Sequence, residues 1–194
     1  MLSVINYPHP TLRRKSKPLR RVDAELRRLI EEMFGLMYEQ KGVGLAANQV
    51  DLPYRFFIVN ESGDFGRREQ ELVFINPVLA KPKGSEEDEE GCLSLPGLYA
   101  PVRRPERITI NAYDLNGQTV NYEASGRLAR IMQHETDHLD GVLFIDHLSP
   151  THRIAARDQI EEFEIEFLHM RDRGEIPDDG KIAARLSELE GLRT

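Results

Sequence analysis

The sequence predicts a single domain that combines helices with antiparallel strands. Apolar residues recur at helical spacing from Val22 to Gln40, and Asp23 lies in the first turn of that helix. Two segments that alternate between apolar and polar residues, Arg107–Tyr113 and Gln118–Glu123, flank the dipeptide Asn116-Gly117. This dipeptide favours the tight turn of a hairpin. A chain of 194 residues suits one domain of ordinary size.

The remaining elements are predicted from shorter patterns of the same two kinds. In chain order they are a strand at Leu2–Asn6, a strand at Phe56–Asn60, a polar loop at Gly63–Gln70, a strand at Leu72–Ile75, a solvated acidic loop at Lys81–Glu90, a helix reaching about Leu139, a short apolar run at Val142–Ile145, and a helix at Thr151–Asp172. Ser125 is expected to cap the helix that ends near Leu139, with Gly141 as its stop. The residues after Gly174 are expected to be weakly helical and loosely packed.

Composition excludes several classes of function. The net charge of -7 argues against broad, unspecific binding to nucleic acid or to an anionic membrane. No run approaches the roughly 20 apolar residues of a membrane helix, and the first residues lack a signal-peptide pattern. The single cysteine, Cys92, cannot form an internal disulfide, which favours a reducing compartment. We therefore expect a cytoplasmic protein with no specific nucleic-acid partner and no membrane partner.

The stretch QHETDHLDG, Gln133–Gly141, carries the pattern H-E-x-x-H. His134 and His138 lie four residues apart, so both can point at one ion from the same face of a helix. Glu135 lies beside that face, where it can handle the proton of a water molecule at the metal. The alternative is a surface helix with two solvated histidines. Apolar neighbours instead indicate an embedded helix, namely Leu128, Ile131 and Leu139.

The third metal ligand stays open on spacing alone. The long zinc-protease motif continues to a third histidine, but Phe144 occupies that position. Another protease class takes a glutamate from a later helix, and four candidates follow in the chain, namely Glu161, Glu162, Glu164 and Glu166. His147 and His152 also lie nearby. Cys92, in EEGCLSLPG, is either a buried small apolar residue or a thiolate that completes a three-ligand site with one position left for water.

A third stretch, KGVGLAANQV at Lys41–Val50, is rich in glycine and alanine. Such small side chains leave room for another backbone, so a substrate peptide could pair there by strand addition. Gln49 would offer an amide donor at the end of the stretch. The alternative for a glycine-rich stretch of this length is a tight turn.

These stretches together resemble the peptide deformylases, enzymes that remove the formyl group from new bacterial proteins. The family's motifs stand here as GVGLAANQ (Gly42–Gln49), EGCLS (Glu90–Ser94) and QHETDHLDG (Gln133–Gly141), in the family's order and spacing. The opening YPHPTLRRKSKPL is also similar, and the resemblance covers roughly Val4 to Pro150. It implies an α+β fold, with antiparallel β-sheets packed around a central helix that bears HExxH and with a C-terminal helix. The expected division is a catalytic domain at 1–150, with a C-terminal helix and tail at 151–194 packed on it or extending from it.

The resemblance also implies a role for each matching residue. Cys92, His134 and His138 would hold the metal, and Glu135 would be the general base. Gln49 and the backbone N–H of Leu93 would stabilise the oxyanion. The substrate would be bound by residues of all three motifs and of the helix start, namely Val43, Gly44, Gly91, Arg127, Arg130 and Ile131.

The implied cofactor is one divalent metal, with Fe(II) as the physiological ion and zinc, nickel or cobalt as replacements. The implied partner is a nascent polypeptide that begins with formyl-methionine. Two features depart from the family. Arg127 stands where a large apolar residue is usual, and the C-terminal helix is acidic where some members carry a basic, ribosome-docking one. The competing interpretations are a zinc endopeptidase with a C-terminal glutamate ligand, and an inactive relative that only binds nascent chains or ribosomes.

Overall fold

The computed structural model describes residues 2–194 and contains four α-helices and seven strands within that range. The helices are α1 (Ala24–Glu39), α2 (Gly126–Leu139), α3 (Pro150–Asp172) and α4 (Asp179–Arg193). The strands are β1 (Gly44–Ala46), β2 (Phe56–Val59), β3 (Leu72–Lys83), β4 (Glu86–Cys92), β5 (Leu95–Arg104), β6 (Arg107–Tyr113) and β7 (Thr119–Ser125). Short 3-10 turns lie at Pro10–Arg13, Ala47–Val50, Phe65–Gln70 and Phe144–His147.

The strands form two antiparallel sheets with α2 between them. The larger sheet has the order β1-β2-β3-β6-β7, and β4 pairs with β5 in a separate ribbon. Ala129, Met132 and Leu139 of α2 pack into the apolar cluster that covers the larger sheet. The polar side of α2 faces the ribbon, where Arg130 and His134 contact Glu90. The predicted α+β fold, with antiparallel sheets around the HExxH helix, is confirmed.

Both ends of α2 follow the sequence prediction. Ser125 occupies the N-cap position, although its side chain makes no capping hydrogen bond to the described residues, and the helix ends at Leu139. Gly141 has a φ of +76°, and a Cβ there would lie 2.5 Å from the carbonyl oxygen of Arg13. Only glycine fits this turn, because another side chain would meet both a left-handed backbone and a rigid neighbour.

The predicted strand at Leu2–Asn6 and the predicted loop at Lys81–Glu90 were wrong. The first segment forms isolated hydrogen bonds, such as that from the Ile5 N–H to the Gln49 carbonyl at 2.9 Å, and not a ladder. In the second, β3 continues to Lys83 and β4 begins at Glu86. Acidic side chains on β4 remain exposed while its backbone pairs with the arginine-rich end of β5, and Glu87 pairs with Arg103. The predicted loop at Gly63–Gln70 also contains a 3-10 turn.

The C-terminal tail was predicted to pack loosely, and this prediction was wrong as well. Helix α4 buries Ile182 and Leu186, and two of its charged residues, Glu190 and Arg193, are each only 4% exposed. Both charges are paired over long sequence distances, since Glu190 pairs with Arg14 at 2.8 Å and Arg193 pairs with Glu25 at 2.5 Å. A sequence pattern does not reveal partners so far apart. Within residues 2–194, no helix combines the length and apolar content needed to cross a bilayer.

Candidate metal centre and cleft

A cleft of about 570 Å³ lies between the glycine-rich stretch, strand β4 and helix α2. Its walls carry residues of all three sequence motifs, namely Gly42, Val43, Gly44, Gln49, Glu90, Gly91, Cys92, Leu93, His134 and Glu135. The first turns of α2 add Arg127, Arg130 and Ile131. The fold therefore brings together segments that lie as far apart in sequence as residues 42 and 135.

Cys92 and His134 line this cleft, and the buried His138 lies against both of them. The Cys92 Sγ lies 3.2 Å from the His138 Nε2, and the two histidine Nε2 atoms lie 3.2 Å apart. All three donor atoms are within 4.8 Å of one another. Metal–nitrogen bonds of about 2.0 Å and metal–sulfur bonds of about 2.3 Å place tetrahedral ligands at comparable separations. The donor set and its spacing thus fit one divalent metal ion.

Glu90 holds His134 in the orientation that this site needs. Its Oε2 lies 3.1 Å from the His134 Nδ1, which leaves Nε2 facing the other two donors. Burial alone would raise the pKa of Glu90, but hydrogen bonds from His134 and Arg104 outweigh burial and hold that pKa well below its usual range. A carboxylate on the outer nitrogen fixes the tautomer of a ligating histidine.

The negative charge of Glu90 is itself compensated by two buried arginines. Arg104 donates to both carboxylate oxygens, at 2.6 and 2.9 Å, and Arg130 donates to Oε1 at 2.8 Å. Arg104 also reaches Asp137 at 2.7 Å, and Asp137 lies 2.8 Å from the His147 Nε2. Neither Glu90 nor Arg104 was predicted from the sequence to be a site residue, although Glu90 opens the EGCLS motif.

The pKa values of the two histidines are shifted in opposite directions. Burial and the positive charge of His134 lower the pKa of His138 well below its ordinary value. Burial also opposes a charge on His134, but hydrogen bonds to Cys92 and Glu90 outweigh it and raise that pKa to about 10. A ligating imidazole must be neutral, so both histidines would hold a metal ion in their neutral form.

Glu135 lies in the cleft wall and is only 4% exposed. Its Oε2 has no hydrogen-bond partner among the described residues. Burial raises the pKa of Glu135 to about 7, against the attraction of His134 and Arg104. A carboxyl group with a pKa near neutrality can both accept and return a proton at physiological pH.

Gln49 presents its amide nitrogen to the Cys92 thiol. Its Oε1 accepts the Ala46 N–H at 2.8 Å, so its Nε2 points the other way, 3.4 Å from the Cys92 Sγ and 3.3 Å from the Ser94 Oγ. Leu93, which directly follows Cys92, lines the same cleft. Asn48, beside Gln49, donates its side-chain amide to the backbone carbonyl of His138. The sequence analysis did not single out Asn48.

Two strand edges border the cleft. Within residues 2–194, β1 pairs on one side only, with β2, and β4 pairs on one side only, with β5. Gly44 is a residue of β1 whose Cβ would lie 2.5 Å from the Glu135 Oε1. Gly91 is a residue of β4 whose Cβ would lie 2.4 Å from the Tyr99 ring. Each glycine therefore lets a neighbouring side chain pack directly on the backbone beside the cleft.

The other residues expected to bind substrate differ in how deeply they lie in the cleft. Val43 and Ile131 line the cleft, and Ile131 is 7% exposed. Arg127 is exposed at the rim, where it donates to the Glu61 carbonyl at 3.1 Å. Arg130 lines the cleft, and its guanidinium is engaged by Glu90 and by backbone carbonyls of the β-ribbon.

The glutamates of α3 make other contacts. Glu164 accepts the Tyr7 hydroxyl at 2.7 Å, and Glu166 pairs with Arg173 at 3.0 Å.

A Cys-His-His site beside a buried carboxyl, open to a cleft, defines a metal-dependent hydrolase.

The comparisons with known proteins agree with this class. The family model of polypeptide deformylase matches residues 1–154. A peptide deformylase of Rhodopirellula baltica is 44% identical over 193 residues, which are 100% of this chain and 96% of that protein. The chain belongs to the polypeptide deformylase family, as its motifs predicted.

Solved structures give the same result at the level of the fold. A peptide deformylase of Plasmodium falciparum has a TM-score of 0.84 at 36% identity, covering 86% of this chain and 98% of that one. An Arabidopsis thaliana peptide deformylase 1B, solved with an inhibitor, has a TM-score of 0.83 at 36% identity. That match covers 92% of this chain and 97% of the plant protein. These matches do not favour the two competing interpretations, a zinc endopeptidase and an inactive relative of the family.

Proposed function

We propose that this chain hydrolyses the formyl group from the N-terminal methionine of newly made polypeptides and releases formate. One observation carries the proposal: Glu135 lines the same cleft as Cys92 and His134 of the Cys92-His134-His138 donor set, and its buried Oε2 has no partner among the described residues. A base of this kind, beside a metal site, suits hydrolysis of an amide bond.

Cys92, His134 and His138 are the residues that would hold the metal. When bound, a divalent ion supplies Lewis acidity towards the formyl carbonyl and lowers the pKa of a water molecule. We assign Fe(II) as the physiological ion, with zinc, nickel and cobalt as replacements. A thiolate with two imidazoles suits all of these ions, and zinc outcompetes ferrous iron on affinity alone.

Three groups of the protein act on the reacting atoms. Glu135 takes the proton of the attacking water and passes it to the leaving amine. The Gln49 amide and the Leu93 N–H donate to the oxyanion that forms on the formyl carbon. Donors placed in advance act mainly on the transition state, because that is where the negative charge develops.

The substrate backbone would run between β1 and β4, with Gly44 and Gly91 at its two sides. Both strands offer unpaired edges there, so an extended peptide can add to them by main-chain hydrogen bonds. Val43, Arg127, Arg130 and Ile131 would border the methionine side chain. The substrate is a nascent chain in the cytoplasm, and the acidic surface of α3 gives no support for docking on ribosomal RNA.

The proposal is tested by identifying which bond the protein cuts. A formyl-Met tripeptide and an acetyl-Met tripeptide of the same sequence are incubated with metal-loaded protein, and the products are separated by mass spectrometry. We expect loss of the formyl group alone and an intact acetylated control. Cleavage of an internal peptide bond would instead support an endopeptidase.

Arg127 offers a test of the pocket. Its guanidinium lies at the rim, held by the Glu61 carbonyl, so it makes the mouth of the pocket more polar than an apolar side chain would. Arg127→Leu should shift the preference towards long apolar first residues by about 1 kcal/mol, the size of a partial change in apolar contact. The measurement is kcat/KM for formyl-Met, formyl-norleucine and formyl-Gln peptides. Equal ratios in both proteins would place Arg127 outside the pocket.

Glu90 offers a test of the support behind the metal. Glu90→Gln should weaken metal binding by about 10- to 100-fold, because it removes the carboxylate that orients His134. Glu87→Gln is the matched control on the same strand, since Glu87 is exposed and pairs only with Arg103 among the described residues. Metal affinity is measured by competition with a chelator. Equal affinities for the two variants would contradict the role of Glu90.

A further inference from the structure

The turn that carries Gln49 is held by the C-terminal helix. Arg185 of α4 donates to the backbone oxygen of Asp51 at 2.7 Å, and its guanidinium also pairs with the Asp51 carboxylate. From the other side, the Thr11 hydroxyl donates to the Asp51 Oδ1 at 2.5 Å. Asp51 is thus fixed between α4 and the N-terminal segment.

Asp51 has a backbone conformation that depends on such contacts. It ends the turn Ala47–Val50 with φ +60° and ψ +35°, in the left-handed region. This region is unfavourable for residues other than glycine, although aspartate and asparagine tolerate it better than most. The Asp51 N–H bonds back to the Asn48 carbonyl at 3.2 Å and closes the turn. Contacts on Asp51 therefore stabilise the whole turn.

Two residues of this turn reach the metal centre. The Gln49 Nε2 lies 3.4 Å from the Cys92 Sγ, and the Asn48 amide donates to the carbonyl of His138. A shift of Asp51 would move both, because each lies within three residues of it in one tight turn. A donor that is displaced from the oxyanion loses most of its effect on the transition state.

We propose that Arg185 is a positioning residue for the reaction: through Asp51, it holds the Gln49 amide in the direction of the oxyanion. This inference rests on the proposed function and on the role of Gln49 within it. It makes α4 a working part of the catalytic unit, although α4 lies outside the three motifs.

The Arg185–Asp51 pair contributes little to overall stability. The two side chains are 45% and 25% exposed, and ion pairs with that exposure are largely screened by solvent. Helix α4 has other anchors, in the buried Ile182 and Leu186 and in the pairs formed by Arg193. Replacing Arg185 should therefore leave α4 in place and change only how firmly the turn is held.

The test compares Arg185→Met with Arg157→Met, a control on the exposed side of α3 whose arginine pairs with Asp158 and Glu161. With metal-loaded proteins and a formyl-Met peptide, Arg185→Met should lower kcat about tenfold, a fraction of what loss of an oxyanion donor costs. KM, metal content and thermal unfolding should stay unchanged. Arg185→Lys should restore part of the loss, and Arg157→Met should match wild type.

Two further measurements separate positioning from a general structural effect. In a Gln49→Ala background, Arg185→Met should cause no further loss of kcat, since the group it positions is gone. Asp51→Asn keeps a residue that tolerates the left-handed region and should reproduce the loss seen with Arg185→Met. In the metal-free proteins, amide hydrogen exchange across 47–52 should be faster in Arg185→Met than in wild type.

The inference is overturned if Arg185→Met has wild-type kcat, or if its loss is equally large in the Gln49→Ala background. Either result leaves the proposed function intact, provided that the wild-type protein releases formate. An inactive wild-type protein with a full complement of metal would instead remove the proposed function itself.

Discussion

Replacing Glu135 with glutamine should leave the metal in place and lower kcat by about 10²- to 10⁴-fold, the range expected for loss of a general base. The reason is geometric. Glu135 lies next to His134 in sequence but beside the ligand face of α2, and its Oε2 is buried without a partner among the described residues. Glutamine preserves the shape of the side chain and removes its ability to take a proton.

The measurement pairs metal analysis with steady-state kinetics on the same purified samples. Glu161→Gln is a suitable control, because that glutamate is exposed on α3 and was one of the alternative ligands. It should retain both metal and activity. If Glu135→Gln lost its metal, Glu135 would be a ligand and its assignment as base would be wrong.

The second large effect is expected for Cys92→Ser, which should lose most of its metal. The Cys92 Sγ completes the donor set with the two histidine Nε2 atoms. A thiolate binds soft and borderline ions far more strongly than a serine hydroxyl does. If the ion is Fe(II), the wild-type protein should also lose activity in air, because iron and thiolate both oxidise.

Metal content is measured after dialysis against a weak chelator, with circular dichroism to confirm that the variant is folded. Serine is no larger than cysteine and fits at this partly buried position, so a folded spectrum would assign the loss of metal to the missing thiolate. Stoichiometric metal in Cys92→Ser would mean that the third ligand is another residue.

Local sequence patterns predicted the helix that carries His134 and His138 and the hairpin of the larger sheet. The four-residue spacing of His134 and His138 required a helix, and the bounds of α2 match the prediction within one residue. The hairpin at Asn116-Gly117 could be predicted for a similar reason, because two adjacent residues determine its turn. Patterns of this kind depend only on neighbours in sequence, so a sequence reveals them.

The third donor and its support depend on distant contacts. Spacing alone left Cys92, four glutamates and the nearby His147 and His152 open, and only the resemblance to the family separated them. Strand β4 was taken for a loop because its acids resemble a solvated segment, whereas Glu90 is buried by two arginines from other elements. The packing of α4 was missed because Glu190 and Arg193 find their partners near the other end of the chain.

The central claim is that a single metal ion, held by Cys92, His134 and His138, is required for removal of the formyl group. The most direct measurement is formate release from a formyl-Met peptide by protein purified without oxygen, with the metal content of the same sample. We expect one metal ion per chain and one formate per peptide consumed, with both lost together when the metal is removed by chelation. Formate release that persists in metal-free protein would contradict the account.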